Sequence, residues 1–328
     1  MTPAELEALR LRLSRHPGLC GKEEIQLPAG MFPQLPFPGL GPAAAIGDDA
    51  ALIPASSGPL LLASEGMDPA LVEEDPWFAG WCGVLVNLSD IAAMGGRPIA
   101  LVNSLWASGE TQARPLLAGL RRAADTFAVP MVGGHTNLHS PYNALAVAVL
   151  GTAPGPVLSA RAARPGDRLH LLVNTQGRLY RHYPFWDAAT QAEPAMLRRH
   201  LALPVELAAA GLVRAAKDIS MGGLVGTAEM FAEAAGCGLE IQLDELQPPA
   251  GLSLEAWLTC FPSFGFLLAV PPERTAELAR FTAPHPELLC AEIGRFLAGA
   301  PQVLLAAGAG RCPLRPPGRV LTGFSADL

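Results

Sequence analysis

The 328-residue chain contains no apolar run close to the ~20 residues that a helix needs to cross a bilayer, which argues against a helical membrane protein. Charge is also scarce. Asp, Glu, Lys and Arg make up 16% of the residues against 50% hydrophobic, a balance that favours packed cores over disorder. The net charge of −7 disfavours nucleic acid and anionic membrane as partners. Six cysteines stand singly with no C-x-x-C pair, so reduced thiols are expected rather than a disulfide frame or a zinc site. No G-x-x-x-x-G-K-[ST] loop and no G-x-G-x-x-G after a strand is present, which leaves P-loop and Rossmann nucleotide sites unsupported. G-x-S-x-G and H-E-x-x-H are absent too.

What is present begins as folded structure rather than as a cleavable leader, and a cytoplasmic location is the default expectation. Thr2-Pro3-Ala4-Glu5 supplies an N-cap, a proline at the first helical position and a capping-box glutamate. Leu6, Leu9 and Leu13 then share one helical face, and His16-Pro17-Gly18 stops the helix. A proline- and glycine-rich stretch over 28–42 reads as extended. Strands are expected at 60–63, 99–105, 129–132 and 144–150. Between them, Asp75-Pro76 opens a helix with Trp81, Leu85, Leu88 and Ala92 on one face, ending at Gly95-Gly96. A second helix is marked by Leu116, Leu120, Ala124 and Phe127. The turn Arg164-Pro165-Gly166-Asp167 opens a second half with the same grammar. Its strands are expected at 168–173, 239–243 and 264–270 and near Leu288 and Val303. Its helices run through Leu224, Ala228, Phe231 and Ala235, and over 272–281. The expected fold class is α/β in two domains, 1–155 and 156–328, each long enough for its own core.

Four segments carry candidate chemistry. In Gly47-Asp48-Asp49-Ala50-Ala51 two adjacent carboxylates repel each other, which favours a shared cation unless water solvates both. Asn87 and Asp90 lie three apart and so share a face of a largely apolar helix. A buried carboxylate there must be paired, hydrogen-bonded or metal-bound, and an exposed one near a helix C-terminus is electrostatically unfavourable. Gly133-Gly134-His135-Thr136-Asn137 reads as a strand end: either a backbone that approaches phosphate, with His135 available to metal or anion, or a tight turn with a surface histidine. Asp218-Ile219-Ser220-Met221-Gly222-Gly223 opens a helix whose free amides, with Ser220 and Gly222, suit phosphate oxygens. Asp218 could hold magnesium there, and Ser220 as an ordinary N-cap is the competing reading.

Taken in order, these segments resemble the superfamily of aminoimidazole ribonucleotide (AIR) synthetase, which includes thiamine-monophosphate kinase, selenophosphate synthetase and the hydrogenase-maturation dehydratase. The resemblance runs over about 41–320. It rests on residues 47–51, the stretch VNLSDIAAMGGRP at 86–98, residues 132–136, Gly151, residues 165–167 and residues 218–224. It implies an N-terminal sheet domain that dimerises, a C-terminal α/β domain beside it, and ATP with several Mg2+ ions in the cleft. The matching positions imply metal ligation by Asp49, Asp90 and Asp218, with Asp90 and Asp218 catalytic. They imply ATP contacts at Asp48, Asn87, Gly133, Gly134, His135, Ser220 and Gly222, and Arg161 matches a phosphate-binding arginine one residue off the usual spacing. The implied protein is an ATP-dependent phosphotransferase or synthetase acting on a small molecule, as a homodimer, with no nucleic acid or membrane partner.

Several positions depart from that pattern. Where relatives have Ser/Thr-Thr-Asp, this chain has Ser64-Glu65-Gly66, so Glu65 is the candidate replacement metal ligand. His135 and Met221 stand where thiamine-monophosphate kinases carry aspartate, and His135 is nearer selenophosphate synthetase, as are Cys20 and Lys22. The dehydratase's C-terminal cysteine tail is absent. The chain is therefore most similar to AIR-synthase-like proteins of unassigned substrate. The alternatives are selenophosphate-synthetase-like or thiamine-phosphate-kinase-like activity, or a catalytically degenerate nucleotide-binding regulator. One segment, 177–186, has no counterpart. It gathers Arg178, Tyr180, Arg181, His182, Tyr183, Phe185 and Trp186 in a chain with only three tyrosines and five tryptophans. Such a mixture suits an anionic or planar substrate, a dimer contact, or a loop packed on its own core.

Overall fold

The computed structural model describes residues 1–26, 49–53 and 58–323. The proline- and glycine-rich stretch over 28–42, for which an extended form is expected, Gly47, Asp48 and the last five residues lie outside the described residues. The chain divides into two compact units. One takes Asp49–Val157 and Ala189–Glu206; the other takes Met1–Asp48, Leu158–Ala188 and Leu207–Leu328. Among the described residues no helix is long and apolar enough to cross a membrane.

The first helices are α1 (Pro3–Leu13) and α2 (Pro17–Cys20). In α1 the capping box of Thr2 and Glu5 forms as read, and Leu6, Leu9 and Leu13 are buried. These residues pack into the core of the second unit, whereas the segment from Asp49 builds the first.

The first unit is a five-stranded sheet covered by helices on one face. In chain order its elements are β1 (Ala51–Ile53), β2 (Leu60–Gly66), α3 (Pro69–Glu74), α4 (Pro76–Ala93), β3 (Arg97–Trp106), α5 (Glu110–Phe127), β4 (Met131–Asn137) and β5 (Ala144–Thr152). The sheet order is β1-β2-β5-β3-β4, antiparallel except where β3 pairs with β4. Asp75 caps α4 by accepting from Phe78 N, and Pro76 fills the first turn as expected. Trp81, Leu85, Leu88 and Ala92 are all buried. So are Leu116, Leu120, Ala124 and Phe127 on α5. The two helices cross nearly backbone to backbone: a Cβ at Gly80 would fall 2.2 Å from Leu116 O, and one at Gly119 would fall 2.0 Å from Trp77 O.

The second unit is built on β6 (Arg168–Asn174), β7 (Arg178–Leu179), β8 (Phe185–Asp187), α6 (Pro194–Ala209), β9 (Ala215–Asp218), α7 (Gly223–Ala235), β10 (Gly238–Gln242), α8 (Leu254–Leu258), β11 (Phe261–Pro262), β12 (Gly265–Val270), α9 (Thr275–Thr282), β13 (Leu288–Leu297), β14 (Val303–Ala307) and β15 (Gly310–Pro313), with the greater part of α6 belonging to the first unit. Seven of these strands form a sheet in the order β15-β14-β10-β13-β6-β12-β9, and a small sheet holds β11-β8-β7. Helix α7 lies on the core face, where Phe231 meets Phe296 edge to face at 5.0 Å. Both chain ends meet beside this helix. Glu233 accepts from Thr322 N at 3.0 Å and Thr322 Oγ1 at 2.5 Å, Glu23 pairs with Arg315, and Gln26 Nε2 donates to Val320 O at 3.1 Å.

On the opposite face of the seven-stranded sheet His170 is buried, with no hydrogen-bond partner at either ring nitrogen and Glu292 3.9 Å away. Burial, aided by the charge of Arg168, pulls its pKa down to about 4. Above pH 6.5 the ring is neutral whether the chain is folded or not. Between pH 6.5 and about 4 only the unfolded chain takes up the proton, so stability falls as pH drops through that window. The loss should reach about 3 kcal/mol by pH 4, and His170→Leu should flatten that part of the profile in urea titrations.

Candidate functional site

Helix α4 is apolar apart from the positions that the sequence singled out. Asn87 is fully buried and Asp90 is 7% exposed, so the carboxylate does not sit in open solvent at the helix end. Asn87 Nδ2 donates to Gly83 O at 2.7 Å, while its Oδ1 is buried without a hydrogen-bond partner. An acceptor left unmet in the interior costs about 1–3 kcal/mol, and that cost is recovered when a ligand or its hydration shell fills the gap.

The other predicted groups of this unit occupy its sheet. Asp49 is half-buried just before β1; its neighbour Asp48 lies outside the described residues. Glu65 is exposed near the end of β2, opposite Val147. Strand alternation puts it on the side of Leu61, Ala63 and Val147, and α4 lies there: a Cβ on its Gly83 would be 3.1 Å from Val147 Cγ2. Gly133 to Asn137 are not a turn after a strand, as their glycines indicated. They are the body of β4, an edge strand in parallel register with β3, in which Gly134 opposes Asn103 and the exposed His135 opposes Ser104. Gly134 is needed for that pairing, because a Cβ there would fall 2.5 Å from Asn103 O. Gly133 has room: its nearest neighbour would be Val102 Cγ1 at 3.8 Å.

In the second unit Asp218 ends β9, buried at 7% exposure. The loop after it reaches α7 through Gly222, which occupies the N-cap position without a side-chain cap. Ser220 therefore does not cap the helix. Its backbone N donates to Thr227 Oγ1 at 3.2 Å, and its Oγ is buried with no hydrogen-bond partner. The turn is fixed by Gly223, at φ +65°, donating its N–H to Ser220 O at 2.8 Å. An uncapped helix start beside an unmet hydroxyl is chemistry that suits an oxyanion. Arg161 lies half-buried in a short 3-10 turn over Ala160–Ala162. Arg178, Tyr180 and Arg181 lie on and beyond β7, away from the cluster of any one helix.

The sequence reading missed two features. Helix α6 contains Pro204, which erases the helical signal, yet it forms and Arg198 Nη1 donates to Thr126 O at 2.7 Å. The second is Glu229 on α7. Burial pushes its pKa up to about 8, against the opposing charge of Arg315. No composition signal marks such a residue; only packing reveals it.

Comparison with known proteins matches residues 47–153 to the family model of the AIR synthase related protein N-terminal domain and residues 165–305 to that of its C-terminal domain. An uncharacterized protein of Synechocystis sp. is 49% identical over 82% of this chain and 83% of its own length. A thiamine-monophosphate kinase of Methanospirillum hungatei is 28% identical over 62% of this chain and 71% of its own. In three dimensions the chain is similar to T. maritima PurL complexed with ADP, with a TM-score of 0.73 and 20% identity. That match covers 98% of this chain and 52% of the other, so the chain spans about half of that protein.

The contrast between the two glycines of β4 gives a direct check. Gly134→Ala should lower stability by roughly 1–3 kcal/mol, and Gly133→Ala should cost less than about 1 kcal/mol, measured by urea unfolding. Equal losses would mean that β4 does not pair with β3 in this register.

Proposed function

The chain belongs to the AIR synthase related family, and from that premise we propose that it is a magnesium-dependent, ATP-using enzyme that phosphorylates an oxygen of a small molecule. The observation that carries the reading lies on α4, where Asp90 is out of solvent and, one helical turn away, the buried Asn87 Oδ1 has no hydrogen-bond partner among the described residues. An unmet acceptor in an apolar layer is costly, and a bound ion with its hydration shell would meet it. In this reading Asp49 and Asp90 bind magnesium, with Glu65, His135 and Asp218 as further ligands. Asp48, Asn87, Gly133, Gly134, His135, Arg161, Ser220 and Gly222 contact the nucleotide. When bound, the metal neutralises phosphate charge. In the second unit Ser220 Oγ, Asp218 and the uncapped start of α7 would engage phosphate oxygens and their metal, and in the first Asn87 and Asp90 would hold a hydrated ion.

A cytoplasmic homodimer belongs to the same proposal. The sheet of the first unit is helix-covered on one face only. Its other face exposes Leu62 and Val102, and Ile99 and Val132, at irregular positions of β3 and β4, are exposed as well, the last at 65%. Strand β5 alternates buried and half-buried residues along its whole length, and among the described residues β4 is an edge of the sheet. An apolar face of this kind, ending in an unpaired strand, fits a self-complementary interface.

Gly66, His135 and Met221 motivate the alternative of a nucleotide-binding regulator, and an ATP-turnover assay with and without magnesium separates it from an enzyme. Asp90→Asn should keep the fold yet weaken Mg-ATP binding at least about tenfold by calorimetry. Wild-type affinity in that variant would remove Asp90 from the site. The protein should sediment as a dimer at micromolar concentration, and Val132→Glu should shift it to monomer. A single-chain mass for the unmodified protein would overturn the interface.

A further inference from the structure

The segment with no counterpart in the family pattern folds as a hairpin. Arg178 opposes Asp187 and Leu179 opposes Trp186 across β7 and β8. At its tip Tyr180 N donates to Phe185 O at 2.8 Å and Tyr183 N to Tyr180 O at 3.1 Å. Arg181 takes φ +53°, a left-handed conformation that a side chain of this size seldom adopts.

The two halves of the hairpin do different things. Its inner half is core: Phe185 and Trp186 are buried, Trp186 Nε1 donates to Asn174 O at 3.0 Å, and its ring meets Trp257 edge to face at 5.8 Å. Its outer half is not needed for that core. Arg178, Arg181 and His182 are exposed. The Arg181 guanidinium lies 5.5 Å from the centre of the Tyr180 ring. A ladder of rings supports the tip: His182 stacks on Tyr183 at 4.3 Å, Tyr183 on Phe185 at 5.2 Å with the planes 4° apart, and Phe185 meets Phe261 edge to face at 5.9 Å. The result is a rigid platform with aromatic faces and cationic rims.

Its position matters as much as its composition. Strand β11 pairs with β8, and Ser263 N donates to Trp186 O at 3.0 Å. The flanks of the same segment hold the loop between β9 and α7. Ile219 N donates to Gly265 O at 2.9 Å, and a Cβ on Gly223 would fall 2.5 Å from Thr259 Cα. The stretch 259–265 thus has the hairpin on one side and the loop carrying Asp218 and Ser220 on the other.

We propose that the outer face of this hairpin binds the small-molecule substrate, and that the substrate is a planar ring bearing an anionic group, a phosphate or a carboxylate. Arginine pairs with oxyanions in a fork geometry, and stacked rings hold a flat ligand at little entropic cost. Calling this ligand the phosphoryl acceptor rests on the nucleotide reading of the neighbouring loop; its binding to the hairpin does not.

The test uses the full chain and three probes followed by ligand-observed NMR: phenyl phosphate, glycerol 1-phosphate and phenol. Phenyl phosphate should bind at least about tenfold more tightly than either of the others. The double variant Arg178→Ala/Arg181→Gly should lose about tenfold or more of that affinity. Glycine accepts the left-handed tip without strain, so the hairpin should survive, and an unchanged circular dichroism melt would confirm it. His182→Ala, which removes the outermost ring of the ladder, should weaken phenyl phosphate more than glycerol 1-phosphate. Equal affinity for the two phosphates, wild-type affinity in the double variant, or no saturable binding of phenyl phosphate would each overturn the proposal. Mg-ATP binding is measured separately by calorimetry. Its absence alongside tight, hairpin-dependent phenyl phosphate binding would refute the nucleotide reading and leave this one standing.

Discussion

Asn87 and Asp90 sit on a helix that is otherwise apolar, and the first unit is arranged around the cost of keeping them there. Glycines on α4 and α5 let the two backbones touch, which seals one flank of α4, while Val147 and Leu145 on β5 fill the other at Gly83. Water is thereby excluded from a layer that contains a carboxylate and an unmet amide oxygen. In such surroundings electrostatic interactions are stronger than in water, in both directions. The same tight packing that makes the polar groups expensive also limits their movement.

The second unit solves a different problem. Helix α7 begins at a glycine, with no side-chain cap, and must still be held in place. The support comes from sequence-distant pieces. A Cβ on Gly18 would fall 2.3 Å from Met221 O, and the fully buried Leu19 packs against Gly226. Farther along, Glu233 grips the backbone at Leu321 and Thr322. Glu229, one turn earlier, has a pKa near 8 because burial outweighs Arg315, so the face of α7 turned toward the chain ends carries less charge near neutral pH than its two carboxyl groups imply. The start of the helix is left open because its middle and end are pinned by other means.

Much of this was legible in the residues. The capping box at Thr2, the Asp75-Pro76 start of α4 and the apolar faces of α4, α5 and α7 obey local rules that no packing partner overrode. The VNLSDIAAMGGRP stretch marked the family because its polar residues break an apolar helix in a fixed pattern. Where local rules conflicted with packing, packing won. Gly133-Gly134 looked like a turn, yet they pair with Val102 and Asn103 of β3, just after a shift in register between Leu101 and Val102. The segment around Pro204 carried no readable helical pattern, yet α6 continues through the proline.

The sequence by itself determined the family, the mixed α/β class and which carboxylates deserve attention, because those depend on residue type and spacing along the chain. Only the tertiary structure decided which of them are buried, since burial is a property of what lies across from a residue rather than beside it. It alone showed that the first helices pack with the C-terminal half, and that Ser220 is an unmet hydroxyl rather than a cap. It also divided the 177–186 segment into an inner half that fills a core and an outer half that does not. No pattern of neighbouring residues encodes that division, because it is set by contacts with Trp257 and Phe261, more than seventy residues farther along the chain.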